Sequence, residues 1–208
     1  MAKEPPRKTA YQGTDRSEYE RGAGGKTEAG YTNAMKKNIL GTENAIRREK
    51  DEQMHVFNAK GEKVVMFQGK GAQVRFDSSK VPENAIITHN HPRSLGKTGI
   101  RSFGNSFSRA DVLSAVKVNA QEMRAVTPTY TFSIRRPEKG WGNIDKIKRE
   151  YNKITKEVER ENVAYIRKKQ GNSKVFDTRI DRAESTHFHA VMQRLSKKMG
   201  WKYSKKKG

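Results

Sequence analysis

The sequence predicts an α/β (α+β) fold, a mixed sheet flanked by helices, with amphipathic helices added at the C-terminal end. Three observations carry that reading. Short runs with strand period recur at 54–57, 63–67, 85–87, 122–126 and 129–134. Stretches with helical period lie before the first of these and between the third and fourth, at 33–51 and 111–118. Beyond Pro137, Gly140 and Gly142 the strand period disappears and helical spacing takes over.

Four segments follow from the pattern: a basic N-terminal tail over 1–32, a domain over 33–136, a helical extension over 137–200 and a basic tail over 201–208. Residues 1–30 mix charges with Pro5, Pro6, Gly22, Gly24, Gly25 and Gly30 and have almost no apolar periodicity, so no fixed structure is expected there. Over 33–51, Met35, Ile39 and Ile46 supply an apolar stripe. Gly41 interrupts it, and Thr42 is a candidate cap for a second helix. The period then switches. Met54 to Phe57 and Lys63 to Phe67 flank Asn58-Ala59-Lys60-Gly61, which predicts a hairpin. Gly69 and Gly71 break the chain, and the alternation of Ala72-Gln73-Val74-Arg75-Phe76 predicts another strand.

The apolar run Ala85-Ile86-Ile87 predicts a buried strand that Pro92 ends. Asp111 to Val118 predicts a helix, with Ser108 and Asp111 spaced as a capping box. Two strands follow, and Tyr130, Phe132 and Ile134 share the core face of the second. Ile144, Ile147, Tyr151, Ile154 and Val158 repeat at three and four, giving a helix to about residue 168 that packs on the sheet or on a protein partner. Gln170-Gly171-Asn172 ends it. A last helix is expected over 178–200, with Phe188, Val191, Met192, Leu195 and Met199 as its stripe. Trp201 and Tyr203 either stack on bases or close the core, and Lys205 to Lys207 suit phosphate contacts.

The chain has 208 residues, 33% apolar and 32% charged, with 44 basic against 23 acidic side chains and a net charge of +21. That balance favours a polyanionic partner, DNA or RNA, reached through the basic surface and tails, or an anionic membrane surface. There is no cysteine, which excludes disulfides, thiolate catalysis and cysteine-rich zinc sites. No stretch approaches the roughly 20 apolar residues of a membrane span, and no apolar signal region opens the sequence. A cytoplasmic setting is expected, or host cytoplasm or virion if the chain is phage-encoded.

The chemistry concentrates in Thr88-His89-Asn90-His91-Pro92, which holds two of the five histidines. Alternate residues on an extended segment face one side, so His89 and His91 form half of a metal site. Asp111, set in a first helical turn, is a rigid carboxylate ligand with Ser108 beside it. Imidazole with carboxylate and water suits zinc.

This His-x-His followed by Ser-x-x-Asp resembles the JAB/MPN (JAMM) zinc metalloproteases, and His-Asn-His-Pro resembles their RadC-like relatives. The resemblance spans about 49–135. It implies a JAB/MPN-like sheet, zinc (Zn2+) on His89, His91 and Asp111, a role for Ser108 at the tetrahedral intermediate, and a glutamate general base on an earlier element. Glu52, at the start of the first hairpin, is the candidate base; Glu49 is the alternative, ahead of Glu62 and Glu83. Sixteen residues, Pro92 to Phe107, separate His91 from Ser108. That is longer than the family spacing and adds a Gly-, Ser- and basic-rich loop that suits a substrate-facing lid.

Three functions compete. The first is a zinc-dependent hydrolase of peptide or isopeptide bonds, with a protein or peptide substrate. The second is a nucleic-acid-binding RadC-like protein or metal-dependent nuclease. The third is a basic phage structural or packaging protein without catalysis. His187 and His189 repeat the His-x-His spacing, but two residues apart on a helix they do not face each other, and lining the active cleft is their expected role.

Overall fold

The computed structural model describes residues 30–92, 106–167 and 173–208. The expectations for residues 1–29, for the loop over 93–105 and for the helix end at 170–172 lie outside the described residues. The elements in chain order are α1 (Asn33–Ile46), β1 (Gln53–Phe57), β2 (Lys63–Gln68), β3 (Ile86–Asn90), α2 (Arg109–Lys117), β4 (Glu122–Val126), β5 (Tyr130–Arg135), α3 (Ile144–Arg167), α4 (Ser173–Met199) and β6 (Lys202–Lys207). This is the mixed α/β architecture expected, a sheet flanked by helices.

The six strands form one sheet in the order β2-β1-β3-β4-β5-β6. Every pair is antiparallel except β3 and β4, which are parallel. Parallel neighbours need a crossover, and α2 supplies it. Strand alternation sends Val56, Ile87, Met123, Ala125, Phe132 and Ile134 to one face, where they meet Val112, Ile147, Tyr151, Ile154, Val191, Met192 and Leu195 in the main core. Phe57 and Ile86 go to the other face and pack with Tyr31, Met35 and Ile39 of the α1 segment. The molecule is therefore layered, with α1 on one side of the sheet and α2, α3 and α4 on the other. The stripe of α3 is committed to this core. No described helix is long and apolar enough to cross a membrane.

Several expectations change. Gly41 does not divide α1, and Thr42 caps nothing. The stripe Met35, Ile39, Glu43, Ile46 runs straight past the glycine, which faces open space. The packing of that stripe outweighs the ~1 kcal/mol that one glycine costs a helix. The cap is Thr32, whose side chain accepts from the Met35 amide. Residues 31 and 32, counted with the tail, thus belong to the fold. The helix stops at Ile46 rather than reaching Asp51.

Residues 72–76 are not a strand. After β2 the chain turns at Gly69 and Gly71, with Lys70 N–H donating to the Gln73 carbonyl at 3.0 Å. Val74 and Phe76 pack on the core without joining the sheet. Segment 201–208 is not a tail. Trp201 is buried, its ring set edge-on to Trp141 at 5.0 Å, and its indole N–H donates to the Trp141 carbonyl. Lys202 to Lys207 then pair with the whole of β5. Lysines are a usual device for blunting a sheet edge, and four of them in six residues hid this strand behind the appearance of a basic terminus. The last helix starts at Ser173, five residues earlier than expected, and ends at Met199.

Buried charge joins α1 to the sheet. Arg124 is 1% exposed and reaches both Glu43 oxygens, from Nε to Oε1 at 2.5 Å and from its second terminal nitrogen to Oε2 at 3.1 Å. Its first terminal nitrogen donates to Glu122 Oε1 at 2.8 Å. Glu122 also accepts from Ser133, Tyr31 and Arg135, and Thr88 donates to Glu43. The carboxylates hold Arg124 above its usual range against the burial that would lower it.

Candidate metal centre

The centre forms where the C-terminal end of β3 meets the N-terminus of α2. β3 is buried along its length and flanked on both sides by strands, so its side-chain directions are fixed. His89 points to the main-core face with Ile87. His91 follows two residues later, outside the strand, but its amide still donates to the Val126 carbonyl of β4 at 2.8 Å. That bond keeps its backbone in line, so the two rings lie on one side, with Nε2 atoms 2.8 Å apart.

Asp111 approaches from α2. Ser108 accepts the Asp111 amide through Oγ, and Asp111 Oδ2 accepts the Ser108 amide at 2.7 Å, a complete capping box. The cap fixes the carboxylate at the helix start, where its charge also suits the dipole. Asp111 Oδ1 lies 3.5 Å from His89 Nε2, and Oδ2 lies 3.6 Å from His91 Nε2. Burial would raise the Asp111 carboxyl, but the His89 and His91 imidazoles beside it hold it well below the carboxylate range.

Glu52 completes the group. It immediately precedes β1, and the next residues pair Met54 with His89. One ligand atom from each of Glu52, His89, His91 and Asp111 lies within 4.8 Å of all the others. Burial pushes the Glu52 carboxyl up, His89 and His91 pull it down, and Asp111 adds to the rise; the net direction is up. The two carboxylates thus differ in kind, one held ionised and the other shifted toward its acid form.

The Glu52 backbone is clamped from two directions. Its amide donates to the Gly71 carbonyl at 2.7 Å and its carbonyl accepts from Gly69 at 2.8 Å. A side chain at Gly69 would collide with the carbonyls of Gln73 and Glu52. Asn90, between the histidines and directed to the opposite face, is the second clamp. Its oxygen accepts the Gln53 amide at 2.6 Å, and its amide donates to the Asp51 and Glu49 carbonyls at 3.1 and 3.4 Å. Sequence reasoning missed this residue. The available signal was strand alternation, which sends the middle residue of His-Asn-His away from the histidines and toward the neighbouring strand.

The other candidates fall elsewhere. Glu49, Glu62 and Glu83 are exposed and outside the cluster. His55 lies on the α1 side of the sheet, 3.3 Å from Gln53 Oε1. His187 and His189 diverge on α4: His187 lies 3.5 Å from Asn162, while His189 is 2.7 Å from the Tyr203 hydroxyl.

The four-residue cluster fits a divalent ion. Zinc bonds of roughly 2.0–2.2 Å place tetrahedral ligands about 3.3–3.6 Å apart, which matches the His–Asp separations of 3.5 and 3.6 Å, while the 2.8 Å between the two Nε2 atoms would have to open slightly. Two imidazole Nε2 atoms 2.8 Å apart and facing a carboxylate in a buried site favour a shared cation or proton. The arrangement is consistent with a metal-binding α/β protein. No protein-family model, curated protein or solved structure matches the chain.

Proposed function

We propose that the chain is a zinc-dependent hydrolase of the JAB/MPN type that cleaves peptide or isopeptide bonds. The observation that supports it is the convergence of two imidazoles with two carboxylates of unlike character. His89, His91 and Asp111 would hold the ion, leaving Glu52 beside it. Zinc bound there supplies Lewis-acid polarisation of the scissile carbonyl and a water acidified toward neutrality.

The chain's own groups do the rest. Glu52, its pKa raised by burial, would take the proton of the attacking water and return it to the leaving amine. Its clamped backbone keeps the carboxylate on one side of the ligand triangle. Ser108 uses an oxygen lone pair to cap α2, so its own O–H remains to donate to the developing oxyanion. The net charge of +21 favours a second reading, in which the same centre serves a nucleic-acid-binding RadC-like protein or a metal-dependent nuclease.

Metal analysis of the purified chain should find one zinc, lost in His89→Ala and in Asp111→Ala. Glu52→Gln should keep the metal and lose turnover by roughly 10²–10⁴-fold on substrates drawn from peptide libraries and isopeptide-linked proteins. A wild-type chain without metal refutes the centre. A metal-loaded chain that cleaves nucleic acid and leaves peptides intact selects the second reading.

A further inference from the structure

A metal-binding histidine ordinarily donates its second ring N–H to a carboxylate, a carbonyl or water, which fixes the ring. His89 departs from this pattern. Its Nε2 faces His91 and Asp111, while its buried Nδ1 has no hydrogen-bond partner among the described residues. Packing orients the ring instead, with centroids 4.7 Å from His91 and 6.3 Å from Phe107.

Phe107 is fully buried at a point where three C-terminal elements converge. From β6, the Tyr203 ring meets the Phe107 ring at 6.5 Å. From α3, the Tyr151 hydroxyl donates to the Phe107 carbonyl at 3.4 Å. Ser106, also buried, shares a 2.8 Å hydrogen bond with the Tyr203 hydroxyl. From α4, His189 Nδ1 lies 2.7 Å from that same hydroxyl. Burial, then Lys205, pushes His189 down to about 3, so its imidazole is neutral at ordinary pH. It can accept from the phenol, leaving the phenol oxygen to accept from Ser106.

We propose that Tyr203, locked by His189, is a positioning residue for the metal centre. It fixes Ser106 and Phe107, and through them the wall against which His89 packs and the start of the Ser108 cap that aims Asp111. Two of the three ligands are then set by one hydroxyl on the last strand. Groups that hydrogen-bond a metal ligand directly are typically worth 10–100-fold in metal affinity; Tyr203 acts one contact further out, so the low end, about 10-fold, is expected. The inference rests on the metal reading above.

The test uses the full chain, stripped of metal and titrated with Co2+, whose visible absorption reports ligand geometry. Wild type should show the intense bands of a four-coordinate site. Tyr203→Phe keeps the ring and removes the hydroxyl; it should melt as a folded protein yet bind Co2+ about 10-fold more weakly or more, with shifted bands. His189→Leu should behave likewise. His189→Asn, whose amide falls near the place of Nδ1, should restore affinity and spectrum. Wild-type affinity and spectrum in Tyr203→Phe would overturn the proposal while leaving the metal centre intact. The same result in Ser106→Ala and His189→Leu overturns it if Tyr203→Phe does not fold. A wild-type chain that takes up no Co2+ overturns the metal reading and this inference together.

Discussion

Replacing Asn90 with Ala tests whether the strut behind Glu52 holds it in place. The side chain makes two good hydrogen bonds, to the Gln53 amide at 2.6 Å and the Asp51 carbonyl at 3.1 Å, and a longer one to Glu49. Each hydrogen bond contributes about 1 kcal/mol net, and a buried donor left unpaired costs about 1–3 kcal/mol. The Gln53 amide becomes such a donor in Asn90→Ala. The expected loss is therefore ~2–4 kcal/mol, read as a shift in urea midpoint at unchanged slope. None of the three proposed ligands is touched, so metal content should stay at wild type while turnover falls with the displaced Glu52. Asn90→Asp sharpens the test, because a carboxylate still accepts from Gln53 but can only repel the two carbonyls. It should be at least as damaging as alanine. Asn90→Ala within 0.5 kcal/mol of wild type, or with unchanged turnover, would refute the argument that this contact positions the base.

Three further outcomes follow from the described contacts. Arg124→Met strands Glu43 without its cation and leaves Glu122 to Arg135 alone, and should destabilise the fold by about 3–5 kcal/mol in chemical denaturation, whereas making positions 43 and 124 apolar together should recover most of it. Removing residues 202–208 deletes β6 and its six-residue pairing with β5, so thermal melting should show a loss of several kcal/mol at about 1 kcal/mol per hydrogen bond. His55 is pushed down to about 4 by burial and then Lys63. Its folded pKa lies below its unfolded value of about 6.5, so the unfolded chain binds the extra proton first. Stability of the metal-free protein is then full above pH 6.5 and falls as pH drops toward 4, by up to ~3 kcal/mol from this residue. His55→Gln should flatten that part of the stability–pH curve.

Three members of the cluster, His89, His91 and Asp111, were legible because each carries a local signature. His89 and His91 have strand spacing at the end of an apolar run, and Asp111 sits three residues after a capping serine. Glu52 was legible from its place before the hairpin. The parts that were not legible are those whose partners lie far along the chain. Glu122 and Arg124 alternate with Met123 and Ala125, which reads as a solvated face, yet both are buried because α1 returns over them with Glu43. The lysines of β6 read as a tail, since nothing local marks Thr131 or Ser133 as its pairing partners. Gly41 carried a local helix-breaking signal that packing overrode. Tyr203 and His189 connect to the cluster through Ser106 and Phe107, a link that no spacing in the sequence encodes.

The ion pair beneath α1 also works as an index mark. Met35, Ile39 and Ile46 would find apolar contacts if the helix were advanced by one residue, because grease tolerates sliding. Such a step translates a helix by about 1.5 Å and rotates it by about 100°, which would swing Glu43 away from Arg124 and leave its carboxylate buried without a cation. Of the seatings open to α1, only one closes the pair. Only six residues separate the end of that helix from the first strand, and Glu52 is the last of them. A helix that can be seated in one way therefore delivers its carboxylate to one address.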